Sequence, residues 1–192
     1  GILQTPDRRL RIENGDGVLN IHRLLPRNGI CRKVGGPDYR YYVETDGDDS
    51  DLDGKNMDQG AKEKPWFDKG LWRMELQASK PGKFTEFLVV LQPGINGKAQ
   101  PIEPRLIEAE GISGVRVGNQ AVLFSNSGML EQGAYERTGQ KATQHILVGV
   151  PGNRSFSFSW GTTEHTVESS AQGVLRYSLP REEIGAIRFE MQ

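Results

Sequence analysis

Ser155-Phe156-Ser157-Phe158-Ser159-Trp160-Gly161-Thr162-Thr163 alternates a hydroxyl with an aromatic ring until a glycine interrupts it. A period of two is the signature of an extended strand with one buried face, and the Trp160-Gly161-Thr162-Thr163 break reads as a reversal into a partner strand over Glu164–Glu168. The same grammar recurs along the chain. In Trp72-Arg73-Met74-Glu75-Leu76-Gln77-Ala78 the residues Trp72, Met74 and Leu76 face one way, and Arg73, Glu75 and Gln77 the other, as a half-buried antiparallel strand requires. Gly17–Leu25 and Phe87–Leu91 are further strand candidates.

Turn chemistry joins these runs. Val117-Gly118-Asn119-Gln120 links Gly114–Val117 to Ala121–Phe124, and Pro151-Gly152-Asn153 marks another reversal, because glycine and asparagine tolerate the positive φ of tight turns. The 24 glycines and 10 prolines punctuate short β-rich runs, and no amphipathic helix stands out. The expected fold is all-β, a two-layer antiparallel β-sandwich. One domain over 1–192 is expected, with residues 139–192 as a candidate subsidiary β unit. Two stretches read as long connectors, Glu44 to Lys69 and Gln92 to Pro104, and loops of this length commonly carry function.

Composition narrows the classes. A chain of 192 residues can hide roughly 70% of its unfolded surface, enough for a real core. With 24 Lys and Arg against 25 Asp and Glu, nothing in the net charge favours nucleic acid or an anionic membrane as a partner. Cys31 stands alone, so no internal disulfide forms and a small buried thiol is expected. No run approaches the ~18 apolar residues of a membrane span. Beginning at Gly1 rather than Met is what a processed or excised chain would show, with any secretion signal already removed.

Three constellations bear on chemistry. In the acidic run Glu44 to Asp58, the residues Asp49, Asp51, Asp53 and Gly54 match the first half of a calcium loop, D-x-D-x-D-G, in which alternate carboxylates converge on the ion. The position for the bidentate glutamate holds Gly60, so a calcium site of another geometry and a solvated acidic loop both stay open. His22, His145 and His165 each fall in a strand without the close spacing of a preformed zinc site. Tyr39-Arg40-Tyr41-Tyr42, with Trp66 and Phe67 beyond the acidic run, offers aromatic faces and a guanidinium of the kind that hold sugars. Tyr39, Arg40, Tyr41 and Trp66 are the candidate substrate contacts; packing in a core is the alternative for such rings. No nucleophile elbow, zinc-protease helix or phosphate-binding loop occurs.

The order of segments resembles the C-terminal β-sandwich of heparinase II/III-like polysaccharide lyases. The matching stretches are Gly17–Pro26, Val34–Tyr39, Gly70–Leu76 and Phe87–Leu91, followed by Gly114–Asn119, Val122–Ser125, Val148–Gly152 and Gly173–Tyr177. The resemblance implies a secreted or periplasmic enzyme with a helical toroid ahead of the β part, cleaving a uronic-acid polysaccharide by β-elimination. In the family the catalytic Tyr, His, Arg and Asn lie largely in the toroid, with a His-x-His-x-Asp-type metal motif in some members. Neither the toroid nor that motif stands in this sequence, so no catalytic residue is carried over, and His22 matches no family catalytic position. The expected function is therefore a non-catalytic accessory domain supporting or lining the substrate cleft, inactive alone, with an acidic polysaccharide or the parent's helical domain as partner and no cofactor beyond calcium. A free-standing carbohydrate-binding module and a structural or interaction domain with an acidic loop are the alternatives.

Overall fold

A computed structural model of the chain describes residues 2–5, 8–35, 72–80, 82–98, 100–136, 144–179 and 185–192. Its strands are β1 (Ile2–Thr5), β2 (Arg9–Asn14), β3 (Gly17–Leu25), β4 (Ile30–Gly35), β5 (Trp72–Gln77), β6 (Leu88–Ile95), β7 (Arg105–Ala109) and β8 (Ile112–Val117). They continue as β9 (Gln120–Ser125), β10 (Gln132–Glu136), β11 (Gln144–Val148), β12 (Ser155–Trp160), β13 (Thr163–Glu168), β14 (Val174–Ser178) and β15 (Ala186–Met191). The fold is all-β and sandwich-like, with no helix among the described residues.

The residues cluster into two compact units, one within Gly1–Leu10 and Leu25–Phe87, the other comprising Arg11–Leu24 and Leu88–Gln192. The first contains an antiparallel sheet of order β1-β4-β5. Cys31 lies opposite Leu76 in its register and is fully buried as a free thiol, as expected of a small apolar side chain at an inward position.

The second unit holds the larger core. A five-stranded sheet of order β14-β11-β9-β8-β7 and a four-stranded sheet of order β10-β15-β12-β13 enclose Ile112, Leu123, Leu147 and Leu175 from one side and Phe156, Phe158, Ile187 and Phe189 from the other. Each such side chain removed from water contributes roughly 1.5–3 kcal/mol. The turns follow their residues: Val117 pairs with Gln120 across Gly118-Asn119, and Trp160 with Thr163 across Gly161-Thr162, with Gly118 at φ 59 and Gly161 at φ 57. Pro151-Gly152-Asn153 reverses the chain between strands of different sheets, from β11 to β12. Because the chain visits β10 in the opposite sheet between β9 and β11, these two return side by side in parallel, Val122 beside Ile146.

A third sheet, of order β2-β3-β6, lies mainly in this unit. Its strand β6 runs on through Gln92 and Pro93 to Ile95, which corrects the connector expected from Gln92. Pro93 has no N–H to give a ladder, and a sheet edge tolerates it; β6 is that edge.

Candidate functional site

The outer face of the four-stranded sheet is built by the alternation that builds the core. On β12, Phe156, Phe158 and Trp160 are buried while Ser157 and Ser159 face outward. On β15, Ile187 and Phe189 point in, and Arg188 and Glu190 are exposed. Register then assembles two rows across the strands. One runs Ala134, Arg188, Ser159, Glu164; the next runs Gln132, Glu190, Ser157, Thr166. Short residues on both sides of Arg188 leave a trough, and the result is a groove of about 800 Å³ that reaches the Glu110-Gly111 turn and Ser127, a volume in the range of ligand clefts.

Gly133 contributes to the floor by what it lacks. A Cβ there would sit 2.7 Å from Cζ of Phe189 and 3.4 Å from Cδ1 of Ile112, so the absence of a side chain lets the Phe189 ring pack beneath β10. The lining carries three carboxylates, Glu110, Glu164 and Glu190, against the guanidinium of Arg188. None of these four side chains has a hydrogen bond or ion pair among the described residues. Such a surface can accept hydrogen bonds from hydroxyls at its carboxylates and donate a bidentate pair from its guanidinium.

A second polar cluster lies inside the sandwich. Tyr135 Oη on β10 is 2.6 Å from His145 Nδ1 on β11 and 2.5 Å from Tyr177 Oη on β14. His145 and Tyr177 are cross-strand partners, their rings stacked at 5.2 Å. Tyr135 comes from the opposite sheet, so the hydroxyl ties one layer to the other. All three atoms are satisfied when Tyr177 donates to Tyr135 and Tyr135 donates to an unprotonated His145 Nδ1. Burial, reinforced by Tyr135, pushes the Tyr177 phenol well above its usual 10.0. Tyrosine and histidine are proton-transfer groups by type, but exposures of 2% for Tyr135 and His145 and 8% for Tyr177 close them to any polymer.

The sequence candidates Tyr39, Arg40, Tyr41 and Trp66, and the acidic Asp49, Asp51 and Asp53, lie outside the described residues. Of the histidines, His22 and His145 are buried, and His165 is exposed with its ring stacked on Trp160 at 4.8 Å. Among the described residues no group of three or more His, Cys, Asp or Glu is placed to hold a metal. The groove residues Arg188, Glu190, Glu164 and Gln132 are not singled out by the sequence. The outward positions of Ile187-Arg188-Phe189-Glu190 are a usable signal, but the neighbours that make them a site lie 24 to 58 positions away in sequence. Comparison with known families and with curated proteins finds no match to this chain.

Proposed function

We propose that this chain is a non-catalytic accessory β-sandwich of a uronic-acid polysaccharide lyase, holding glycan as one wall of the substrate cleft. The observation that carries the reading is the open polar groove over the β10-β15-β12-β13 sheet, a platform of hydroxyl, amide, carboxylate and guanidinium groups. The buried setting of the Tyr135, His145 and Tyr177 cluster supports the non-catalytic part. Its partners in this reading are the polysaccharide and the helical domain of the parent enzyme, in a secreted or periplasmic setting.

The test has two arms. Uronic-acid glycans incubated with the chain should give no rise in absorbance from an unsaturated uronate product, and calorimetry should register saturable glycan binding that weakens in Arg188→Ala. Turnover, or flat titrations against a broad glycan panel, would remove the reading. Tyr39, Arg40, Tyr41 and Trp66 stand as proposed further sugar contacts, checked by loss of affinity in Tyr41→Ala or Trp66→Ala. Asp49, Asp51 and Asp53 stand as proposed calcium ligands, checked by a calcium titration with Asp51→Ala as control.

One observation favours a free-standing carbohydrate-binding module as the second reading. Every described residue lining the groove belongs to the unit containing Leu88–Gln192, as a self-contained binding module would show. Glycan affinity that is unchanged when a helical lyase domain is added would favour the module.

A further inference from the structure

We propose, resting on the glycan-holding reading above, that the groove takes a sparsely charged glycan, neutral sugar residues with a single uronate seated at Arg188, and turns away polyanionic stretches. This departs from the acidic polysaccharide expected from sequence. The argument is the placement of charge. Arg188 lies between Ala134 and Ser159 in its row, side chains too short to cover its guanidinium, and a planar fork of donors is matched by one carboxylate.

Around that position the lining turns negative. Glu190 lies two residues along β15, roughly 7 Å away by strand rise, and Glu164 lies two strands across, roughly 10 Å away. Glu110 adds a third carboxylate at the β7–β8 turn. A second uronate or a sulfate group beside the first would meet one of these. Two like charges ~7 Å apart in water weaken binding roughly threefold, and more where the groove excludes solvent. Uncharged sugars meet the same carboxylates favourably, since each carboxylate accepts hydrogen bonds from hydroxyls. Gln132 and Ser157, flanking Glu190 in its row, add the mixed donors and acceptors that suit a ring of hydroxyls.

Three oligosaccharides of equal length test this by calorimetry on the full chain at low and at physiological salt: one neutral, one alternating a uronate with a neutral N-acetylated sugar, and one composed of uronates throughout. The alternating glycan should bind tightest, with the oligouronate at least about tenfold weaker at low salt, three like-charge neighbours multiplying. That gap should narrow at physiological salt as screening shortens to about 8 Å. Arg188→Ala should bring the alternating glycan down to the affinity of the neutral one. Glu190→Gln should raise oligouronate affinity roughly threefold and Glu164→Gln roughly twofold. An oligouronate that binds as tightly as the alternating glycan would overturn this inference and leave the accessory reading intact, whereas an Arg188→Ala variant that binds all three unchanged would overturn this inference together with the groove as the glycan site. Binding of a lysine-rich peptide with no glycan bound at all would overturn both.

Discussion

The hydroxyl of Tyr135 is the hinge of the interior network, and its removal should cost more than removal of its partner's. Tyr135→Phe deletes two hydrogen bonds, to His145 Nδ1 at 2.6 Å and to Tyr177 Oη at 2.5 Å, in a region closed to water. A buried polar group that loses its partner costs about 1–3 kcal/mol, so the loss should be about 2–4 kcal/mol. Tyr177→Phe deletes one of the two bonds and leaves the Tyr135 to His145 contact in place, for a loss of about 1 kcal/mol. Urea unfolding at pH 7 reads both values. Equal losses in the two variants would refute the claim that Tyr135 is the shared atom.

The same network sets an alkaline limit. Tyr177 keeps its proton in the folded chain to a pH well above its usual 10.0, whereas in the unfolded chain a tyrosine ionises near 10. Above about pH 10 the unfolded state therefore binds fewer protons than the native state, and stability falls as pH rises. The contribution is complete below the unfolded value and is lost as pH climbs toward the folded one, at up to about 1.4 kcal/mol per pH unit. The diagnostic quantity is the difference between wild type and Tyr177→Phe from pH 9 to 11.5. A variant with the wild-type slope would sink the argument.

Three further outcomes are expected. Gly133→Ala should destabilise by about 1–3 kcal/mol, because its Cβ would meet the Phe189 ring at 2.7 Å in a core with little room to yield; a melting temperature equal to wild type would contradict this. Gly161→Val forces a β-branched residue to φ 57 at the β12–β13 turn and should cost about 1–2 kcal/mol by thermal unfolding, while Gly161→Asn should recover most of the loss. Cys31, fully buried, should react with a thiol reagent only on the timescale of local opening and at the free-thiol rate in urea.

Strand identity and strand neighbourhood are legible to different degrees, for a physical reason. Period two separates inward from outward residues, so alternation alone assigns Phe156 and Phe158 to the interior, the apolar setting of Cys31 does the same for its thiol, and Gly118-Asn119 and Gly161-Thr162 announce their turns. Periodicity carries no information about which strand lies alongside. Nothing in Ser157-Phe158-Ser159 says that Arg188-Phe189-Glu190 will pair with it, or that β9 and β11 will lie parallel. Both arrangements follow from how the two layers close on one core.

The groove depends on that unreadable level. Arg188 and Glu164 share a row only because β12 pairs with β15 on one side and with β13 on the other. A slip of one residue in either pairing would turn a charge toward Phe158 and Phe189, where it could not be solvated. The aromatic rows therefore hold the polar rows in place: the burial of Phe156, Phe158, Ile187 and Phe189 is what makes the outer face of charges and hydroxyls a defined surface. A substitution that loosens those rings should for this reason weaken any ligand of the groove without touching a single lining residue.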